Sequence, residues 1–263
     1  MIAQQPIGIF DSGIGGLSIW KEIITLLPHE NIIYLADSKN APYGQKSQET
    51  ILEFSIKNTE LLIEKGCKII VIACNTATTN AIDYLRKQYN IPFIGIEPAI
   101  KPAALQTVTN NIGILATKGT LSSSLFHSTS KEFTEGIQVI EQIGEGLVPL
   151  IETGQIESVA MQVLLEKLLN PMLKNNIDYL VLGCSHYPFL IPKIQQILGD
   201  KVKIIDSGAA VAKQTKAVLE NKGLLNTNTS TPKKQLYSNT SIAVLKKMAE
   251  TLDPNSSVSY LNF

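Results

Sequence analysis

The chain has 263 residues, of which 44% are apolar and 17% are charged, the composition of an ordinary globular protein. Its 23 Lys and Arg residues balance 23 Asp and Glu residues, so its overall charge argues against nucleic acid or an anionic membrane as a partner. Arg86 is the only arginine, which argues against a site built on guanidinium groups. We therefore expect an anionic ligand to be held mainly by backbone N–H groups and hydroxyls.

Short runs rich in Ile and Val alternate with helical patterns along most of the chain. In chain order the apolar runs are IGIF, NIIYLA, CKIIVIAC, IPFIGI, NIGILAT, IQVIE, DYLVLGC and VKIID. After the first run, Leu17, Trp20, Ile24 and Leu27 fall on one helical face, and Pro28 ends that helix. Apolar runs without alternation predict strands buried on both faces, hence an α/β fold with mostly parallel sheets flanked by helices. A polar loop precedes a last strand and helix in QLYSNTSIAVLKKMAETL.

Two internal similarities predict two lobes. EKGCKIIVIACNTA around Cys74 is similar to KNNIDYLVLGCSHYP around Cys184, and IGIFDSG near the start is similar to VKIIDSG at 202–208. We expect one α/β lobe to comprise residues 1–97 and 209–263, and a second to comprise residues 98–208. Because ligands bind at the carboxyl ends of parallel strands, we expect the active site in the cleft between the lobes.

The three cysteines are too few and too irregularly spaced for a disulfide framework or a four-cysteine zinc site. Cys74 and Cys184 each stand at the carboxyl end of a predicted strand, so the two thiols could face each other across the cleft. Cys67 stands at the opposite end of its strand, where packing is the expected role.

The stretch DSGIGGLS lies between a strand and a helix but does not match a nucleotide-binding loop. Ser18 stands where the dinucleotide pattern needs glycine, and Gly15, Gly16 and Leu17 replace the Gly-Lys-Ser/Thr of a phosphate loop. Asp11, at the end of the preceding strand, could orient a catalytic group or meet an ammonium, or it could be a turn or cap residue.

Other polar segments leave alternatives open. In NAPYGQ, Tyr43 and Gly44 could offer main-chain donors to a carboxylate, or the segment could be an ordinary loop. His186, in CSHYP, could lower the pKa of a thiol or shuttle its proton, or it could complete a helix N-terminus. Glu152 lies near a predicted helix end, where it could be solvated or could reach the second thiol. Hydroxyls also follow a strand in ILATKGT.

Six segments, in order, carry a family resemblance: DSGIGG, APYG, ACNTAT, PLIETG, GCSHYP and IDSGAA. Over about the first 210 residues the chain resembles the cofactor-independent aspartate/glutamate racemase family. The resemblance implies that Cys74 and Cys184 are the acid/base residues, with Asp11, His186 and Glu152 as their helpers. The implied substrate-binding residues are Asp11, Ser12, Pro42, Tyr43, Gly44, Asn75, Thr76, Thr117, Thr120, Ser185 and His186. Ser185 stands where the family usually has threonine, so a hydroxyl is kept and a methyl is lost.

The same resemblance implies interconversion of L- and D-glutamate in a bacterial cytoplasm, supplying D-glutamate for peptidoglycan. We expect no cofactor, no metal and a homodimer. The N-terminal segment MIAQQPIGIFDSG has no basic stretch leading into a long apolar run, which favours the same location. The alternatives are an aspartate racemase or related two-thiol isomerase, and a noncatalytic amino-acid-binding or redox-sensing protein.

Overall fold

A computed structural model describes residues 2–263. Its strands are β1 (Ile7–Asp11), β2 (Ile32–Ala36), β3 (Ile69–Ile72), β4 (Phe93–Gly95), β5 (Asn111–Ala116), β6 (Gln138–Ile143), β7 (Tyr179–Gly183), β8 (Lys203–Ile205), β9 (Lys234–Ser238) and β10 (Ser257–Tyr260). Its helices are α1 (Leu17–Leu26), α2 (Gln48–Glu64), α3 (Asn75–Gln88), α4 (Ile100–Gln106), α5 (Lys118–Leu121), α6 (Ser124–Phe133), α7 (Leu147–Glu152), α8 (Val159–Lys174), α9 (Ile191–Leu198), α10 (Gly208–Asn221) and α11 (Ala243–Leu252). Short 3₁₀ turns span Ser38–Asn40, Tyr43–Gln45 and Tyr187–Leu190.

The strands form two sheets that are flanked by helices. One sheet has the order β10-β9-β2-β1-β3-β4, and the other has the order β6-β5-β7-β8. Every strand pairing within the described residues is parallel. The predicted α/β class is thus confirmed, and the first sheet takes strands from both ends of the chain.

Helix α1 illustrates how the local sequence pattern sets an element. Leu17, Trp20 and Ile24 lie on its inner face and are buried, as their spacing predicts. The helix ends at Leu26, just before Pro28, because the residue that precedes a proline is disfavoured in helical geometry.

The hydrophobic core is continuous between the two sheets. Its largest cluster includes Ile9 and Val71 of the first sheet together with Leu115 and Leu182 of the second. Smaller clusters cover the other face of each sheet. The relative position of the two sheets is therefore stabilised by apolar burial.

Two strands differ from the sequence-based expectation. The IQVIE segment forms β6, but this edge strand is partly exposed rather than buried on both faces. Strand β10 was not predicted, because its polar residues at the outer edge of the first sheet lack an apolar pattern.

Candidate active site

The carboxyl ends of strands from both sheets meet around one small cavity. Asp11 ends β1, Cys74 lies two residues after β3, Thr117 directly follows β5, and Cys184 directly follows β7. The cavity is lined by Ser12, Pro42, Tyr43, Gly44, Cys74, Asn75, Thr76, Thr117, Val148, Cys184, Ser185 and His186.

Most residues that the sequence singled out line this cavity, and the others lie directly behind it. Asp11 and Glu152 contact lining residues through hydrogen bonds to Ser185 and His186. Thr120 likewise bonds the lining residue Thr117. Cys67, in contrast, packs against Gly8 and Leu62 at the amino end of β3.

Cys74 caps the N-terminus of α3. Its buried Sγ atom accepts a hydrogen bond from Ala77 N at 3.4 Å, and the thiol donates to Ser12 Oγ at 3.6 Å. Burial and the nearby Asp11 carboxylate raise the pKa of this thiol to about 12. Without a ligand, Cys74 is therefore a thiol at neutral pH.

Cys184 lies at the end of a polar chain made by His186 and Glu152. Cys184 Sγ lies 3.8 Å from His186 Nδ1, and His186 Nε2 lies 2.6 Å from Glu152 Oε1. Burial alone disfavours the imidazolium, but the hydrogen bonds to Cys184 and Glu152 outweigh it and hold the pKa of His186 well above its usual range. A protonated His186 would place a positive charge 3.8 Å from Cys184 Sγ.

Glu152 of α7 also joins the two lobes. Its Oε1 accepts a hydrogen bond from Ile14 N at 2.7 Å, and its Oε2 accepts one from Ser38 Oγ at 2.9 Å. Both donors follow strands of the first sheet, whereas His186 follows a strand of the second. The carboxylate thus has its orientation set from both sides of the cleft.

Asp11 makes a second connection across the cleft. Its carboxylate accepts hydrogen bonds from Gly13 N at 3.0 Å and from Ser185 Oγ at 2.8 Å. Complete burial raises the pKa of Asp11, while the nearby His186 and the Ser185 hydrogen bond partly oppose that rise. The Ser185 hydroxyl is therefore a hydrogen-bond donor to Asp11.

The turn after β1 passes very close to the His186–Glu152 pair, which explains its glycines. A Cβ atom at Gly13 would lie 1.9 Å from Glu152 Oε1, and one at Gly15 would lie 2.1 Å from His186 Nδ1. The DSGIGG segment therefore allows close approach of the main chain to these side chains.

Beside the cavity lie a buried amide without hydrogen-bond partners in the described chain and three hydroxyls that bond one another. Within the described chain, Asn75 is buried and neither its Nδ2 nor its Oδ1 atom has a hydrogen-bond partner. Hydroxyls of Thr76, Thr117 and Thr120 lie 2.8 to 3.3 Å apart and join α3 to α5. A buried amide without a partner is costly, so this geometry favours a polar ligand in the cavity.

Several residues around the site were not predicted. Val148 lines the cavity, and Ser38, Asp37 and Asn239 support the lining from behind. Main-chain donors were predicted at Tyr43, and the structure shows that the buried Tyr43 hydroxyl also donates to Asp37. Asp37 follows β2 much as Asp11 ends β1, and that repeated position is a signal that could have identified it.

The described residues contain no group of three or more His, Cys, Asp or Glu side chains arranged to hold a metal ion. In the same part of the chain, no helix combines the length and apolar character needed to span a membrane.

Comparison with known proteins identifies the protein family of this chain. The model of the Asp/Glu/Hydantoin racemase family matches residues 15–215, and the chain belongs to this family. It is thus an isomerase by family.

Within this family, the chain is similar to glutamate racemases in both sequence and structure. A glutamate racemase of Herpetosiphon aurantiacus is 47% identical over 86% of this chain and 89% of its own length. A crystal structure of a Bacillus anthracis glutamate racemase isoform superposes with a TM-score of 0.88, at 32% identity and 98% coverage of both chains. A Francisella tularensis glutamate racemase solved with D-glutamate gives a TM-score of 0.84 at 31% identity, covering 99% of this chain and 98% of that one.

Proposed function

We propose that this chain interconverts L- and D-glutamate by proton transfer at the α-carbon, with Cys74 and Cys184 as the two acid/base residues. The observation that carries the proposal is the placement of two thiols on strand ends of opposite sheets, lining one cavity. The 47% identity to a glutamate racemase supports the choice of substrate.

The chemistry needs one thiolate and one thiol. The thiolate takes the α-hydrogen as a proton, so an S–H bond forms as the Cα–H bond breaks and the electron pair moves into the α-carboxylate. The opposite thiol then donates its proton to the other face of Cα and becomes the thiolate. By family resemblance, Cys74 is the base for D-glutamate and Cys184 is the base for L-glutamate.

Hydrogen-bond donors stabilise the charge that develops on the α-carboxylate. The Asn75 amide and the Thr76 and Thr117 hydroxyls fit this role, because they line the cavity and Asn75 has no partner in the described chain. Asn75 and Thr76 also begin α3, whose N-terminal N–H groups favour an anion.

The polar residues that would assist proton transfer differ between the two thiols. The His186–Glu152 pair would support Cys184, while Asp11 lies near Cys74 and contacts Ser185. A substrate ammonium next to Asp11 would offset the repulsion that disfavours the Cys74 thiolate. Substrate binding would then bring the pKa of Cys74 down toward working pH.

Racemisation assays with purified protein test this proposal against its alternatives. We expect purified protein to erase the optical activity of either glutamate enantiomer, with a higher kcat/KM for glutamate than for aspartate. In heavy water, deuterium should enter the product while the remaining substrate stays largely protiated at early conversion.

Other outcomes point elsewhere. A higher kcat/KM for aspartate would indicate an aspartate racemase with the same mechanism. Binding of glutamate without racemisation would indicate a binding protein, and reversible formation of a Cys74–Cys184 disulfide without racemisation would indicate a redox sensor. Label appearing equally in substrate and product from the start would contradict the two-thiol mechanism.

Further expectations are part of the same proposal. The lobes would divide into residues 1–97 with 209–263, and residues 98–208. The family resemblance supports a cytoplasmic homodimer that needs neither pyridoxal phosphate nor metal and provides D-glutamate for peptidoglycan. Analytical ultracentrifugation tests the dimer, and assays after exhaustive chelation test the independence from metal.

A further inference from the structure

The loop at 38–45, here called the substrate loop, lies between β2 and α2. It contacts the candidate active site at two points. Pro42, Tyr43 and Gly44 line the cavity, and Ser38 donates a hydrogen bond to Glu152 at 2.9 Å. The loop contains only two short 3₁₀ turns, at Ser38–Asn40 and Tyr43–Gln45. Its position must therefore depend on contacts with other parts of the chain.

Asn239 supplies such contacts from the C-terminal region. It directly follows β9, lies outside the segment that the family model matches, and is only 4% exposed. Its Oδ1 accepts a hydrogen bond from Lys39 N at 2.9 Å. Its Nδ2 donates to Asp37 Oδ1 and, at 3.3 Å, to Phe263 O.

Asp37 extends these contacts to the far end of the loop. Its Oδ1 also accepts from Asn40 Nδ2 at 2.8 Å, and its Oδ2 accepts from the Tyr43 hydroxyl. That hydroxyl in turn accepts from Asn58 Nδ2 at 3.2 Å. Asn239 and Asp37 together therefore form hydrogen bonds to three residues of the substrate loop, Lys39, Asn40 and Tyr43, the last of which lines the cavity.

We propose that Asn239 is a positioning residue for the reaction: through Asp37 and Lys39 it fixes the substrate loop, and so sets both the cavity wall and the Ser38–Glu152 hydrogen bond. The inference rests on the proposed function for its kinetic consequence. Its structural part, that Asn239 orders residues 38–45, is independent of which substrate is used.

Asn31 provides a matched control. It directly precedes β2, and its Oδ1 accepts from Lys233 N at 2.8 Å while its Nδ2 donates to Gln4 O at 2.8 Å. Like Asn239, it connects the chain next to β2 with the chain next to β9. It does so at the amino ends of these strands, away from the cavity.

The experiment compares Asn239→Ala with Asn31→Ala in thermal unfolding, glutamate kinetics and amide hydrogen exchange. For Asn239→Ala we expect the KM for glutamate to rise about tenfold and kcat to fall several-fold. Exchange should quicken at residues 38–45. Asn31→Ala should lower the melting temperature while leaving kcat/KM within about twofold of wild type and exchange of 38–45 unchanged.

A double-mutant cycle tests the route through Ser38. If Asn239 acts partly by placing Ser38, then Ser38→Ala should cost less kcat in the Asn239→Ala background than in wild type. Ser38→Thr, which keeps the hydroxyl, should retain most of the activity. Fully additive losses would overturn this route.

Failure of the inference is distinguishable from failure of the proposed function. If wild type racemises glutamate but Asn239→Ala matches Asn31→Ala in kcat/KM and loop exchange, Asn239 has no positioning role. If wild type does not racemise glutamate, the proposed function fails, and loop exchange still decides whether Asn239 orders residues 38–45. Should Asn239→Ala not fold, Asn239→Asp, which keeps the acceptor for Lys39 but loses the donor to Asp37, is measured instead.

Discussion

The two thiols at the cavity have unlike surroundings. Cys74 caps a helix beside a buried carboxylate, whereas Cys184 lies 3.8 Å from an imidazole that is itself bonded to Glu152. In the proposed mechanism each thiol is the base in one direction and the acid in the other. The two thiols therefore rely on different neighbours, Asp11 for Cys74 and the His186–Glu152 pair for Cys184.

Replacement of either cavity cysteine should stop the reaction in both directions. We expect Cys74→Ala and Cys184→Ala to lower kcat by at least about 1,000-fold for both enantiomers, because each direction needs both a base and an acid. Circular dichroism of either glutamate enantiomer measures this. Cys67→Ala is the control and should keep most activity, since Cys67 packs at the other end of β3. Substantial racemisation by Cys184→Ala would contradict the two-thiol proposal.

Asp11→Asn should lower the pKa of Cys74. The carboxylate of Asp11 is one cause of the rise of this pKa to about 12, and its removal relieves the repulsion that disfavours the thiolate. In a Cys67→Ala/Cys184→Ala background, alkylation by iodoacetamide reports Cys74 alone. At any one pH between 8 and 10, the Asp11→Asn protein should be alkylated on the order of tenfold faster than the same background with Asp11. An equal alkylation rate with and without the Asp11 carboxylate would show that Asp11 does not raise this pKa.

At the level of elements, the turn after β1 matters because it touches the side chains that support Cys184. Gly15→Ala would place a methyl 2.1 Å from His186 Nδ1. We expect kcat/KM to fall by about 100-fold or more, because displacement of His186 disturbs its geometry with Cys184. Steady-state kinetics and thermal unfolding measure the two effects separately.

Gly136→Ala is the control for that substitution. Gly136 has a φ of +75°, and a Cβ added there would meet nothing within 4 Å, so an added methyl strains the backbone without touching the site. It should cost about 1 kcal/mol of stability and leave kcat/KM unchanged. If Gly15→Ala shows the same pattern, close approach to His186 does not explain the glycine.

The hydroxyl contacts between α3 and α5 should affect binding more than turnover. Thr117→Val keeps the side-chain shape but removes a hydroxyl that lines the cavity and lies 2.8 Å from Thr76 Oγ1. We expect the KM for glutamate to rise about tenfold, the value of one hydrogen bond to a charged group, with a smaller change in kcat. Thr25→Val removes an exposed hydroxyl of α1 and should change neither constant. A fall in kcat alone would instead place Thr117 in the chemical step.

Across the whole molecule, a buried ion pair connects distant parts of the chain at the end of the first sheet opposite the cavity. Lys68 Nζ lies 2.5 Å from Glu30 Oε2 and donates to Leu224 O at 2.9 Å, while Glu30 Oε1 accepts from Asn226 N at 2.8 Å. Both side chains are almost fully buried. The pair thus joins the segment after α10 to the first sheet.

Lys68→Met should lower the free energy of unfolding by about 3 to 5 kcal/mol, because it leaves the Glu30 carboxylate buried without its cation. Urea unfolding measures the loss. Glu30→Gln combined with Lys68→Met should recover part of it, since no lone charge then remains. Folded Lys68→Met should keep the wild-type kcat/KM, and a specific loss of activity would show that this end of the sheet communicates with the cavity.

Local sequence patterns were sufficient to predict most of the fold. Unbroken Ile and Val runs predicted the buried strands, and the spacing of Leu17, Trp20 and Ile24 predicted the inner face of α1. These signals are readable because burial selects apolar side chains with the period of the element itself. The polar edge strand β10 was missed because no such period is imposed where a strand is exposed.

The sequence by itself also determined that two thiols stand at strand ends and that hydroxyls and amides follow them, since both properties belong to short contiguous segments. Only the tertiary structure decided which side chains meet. Glu152 accepts from Ile14 and Ser38, and Asn239 bonds Asp37, although these partners are more than 100 residues apart. Such pairings depend on how two sheets pack around a shared core, and no local period in the chain encodes that distance or orientation.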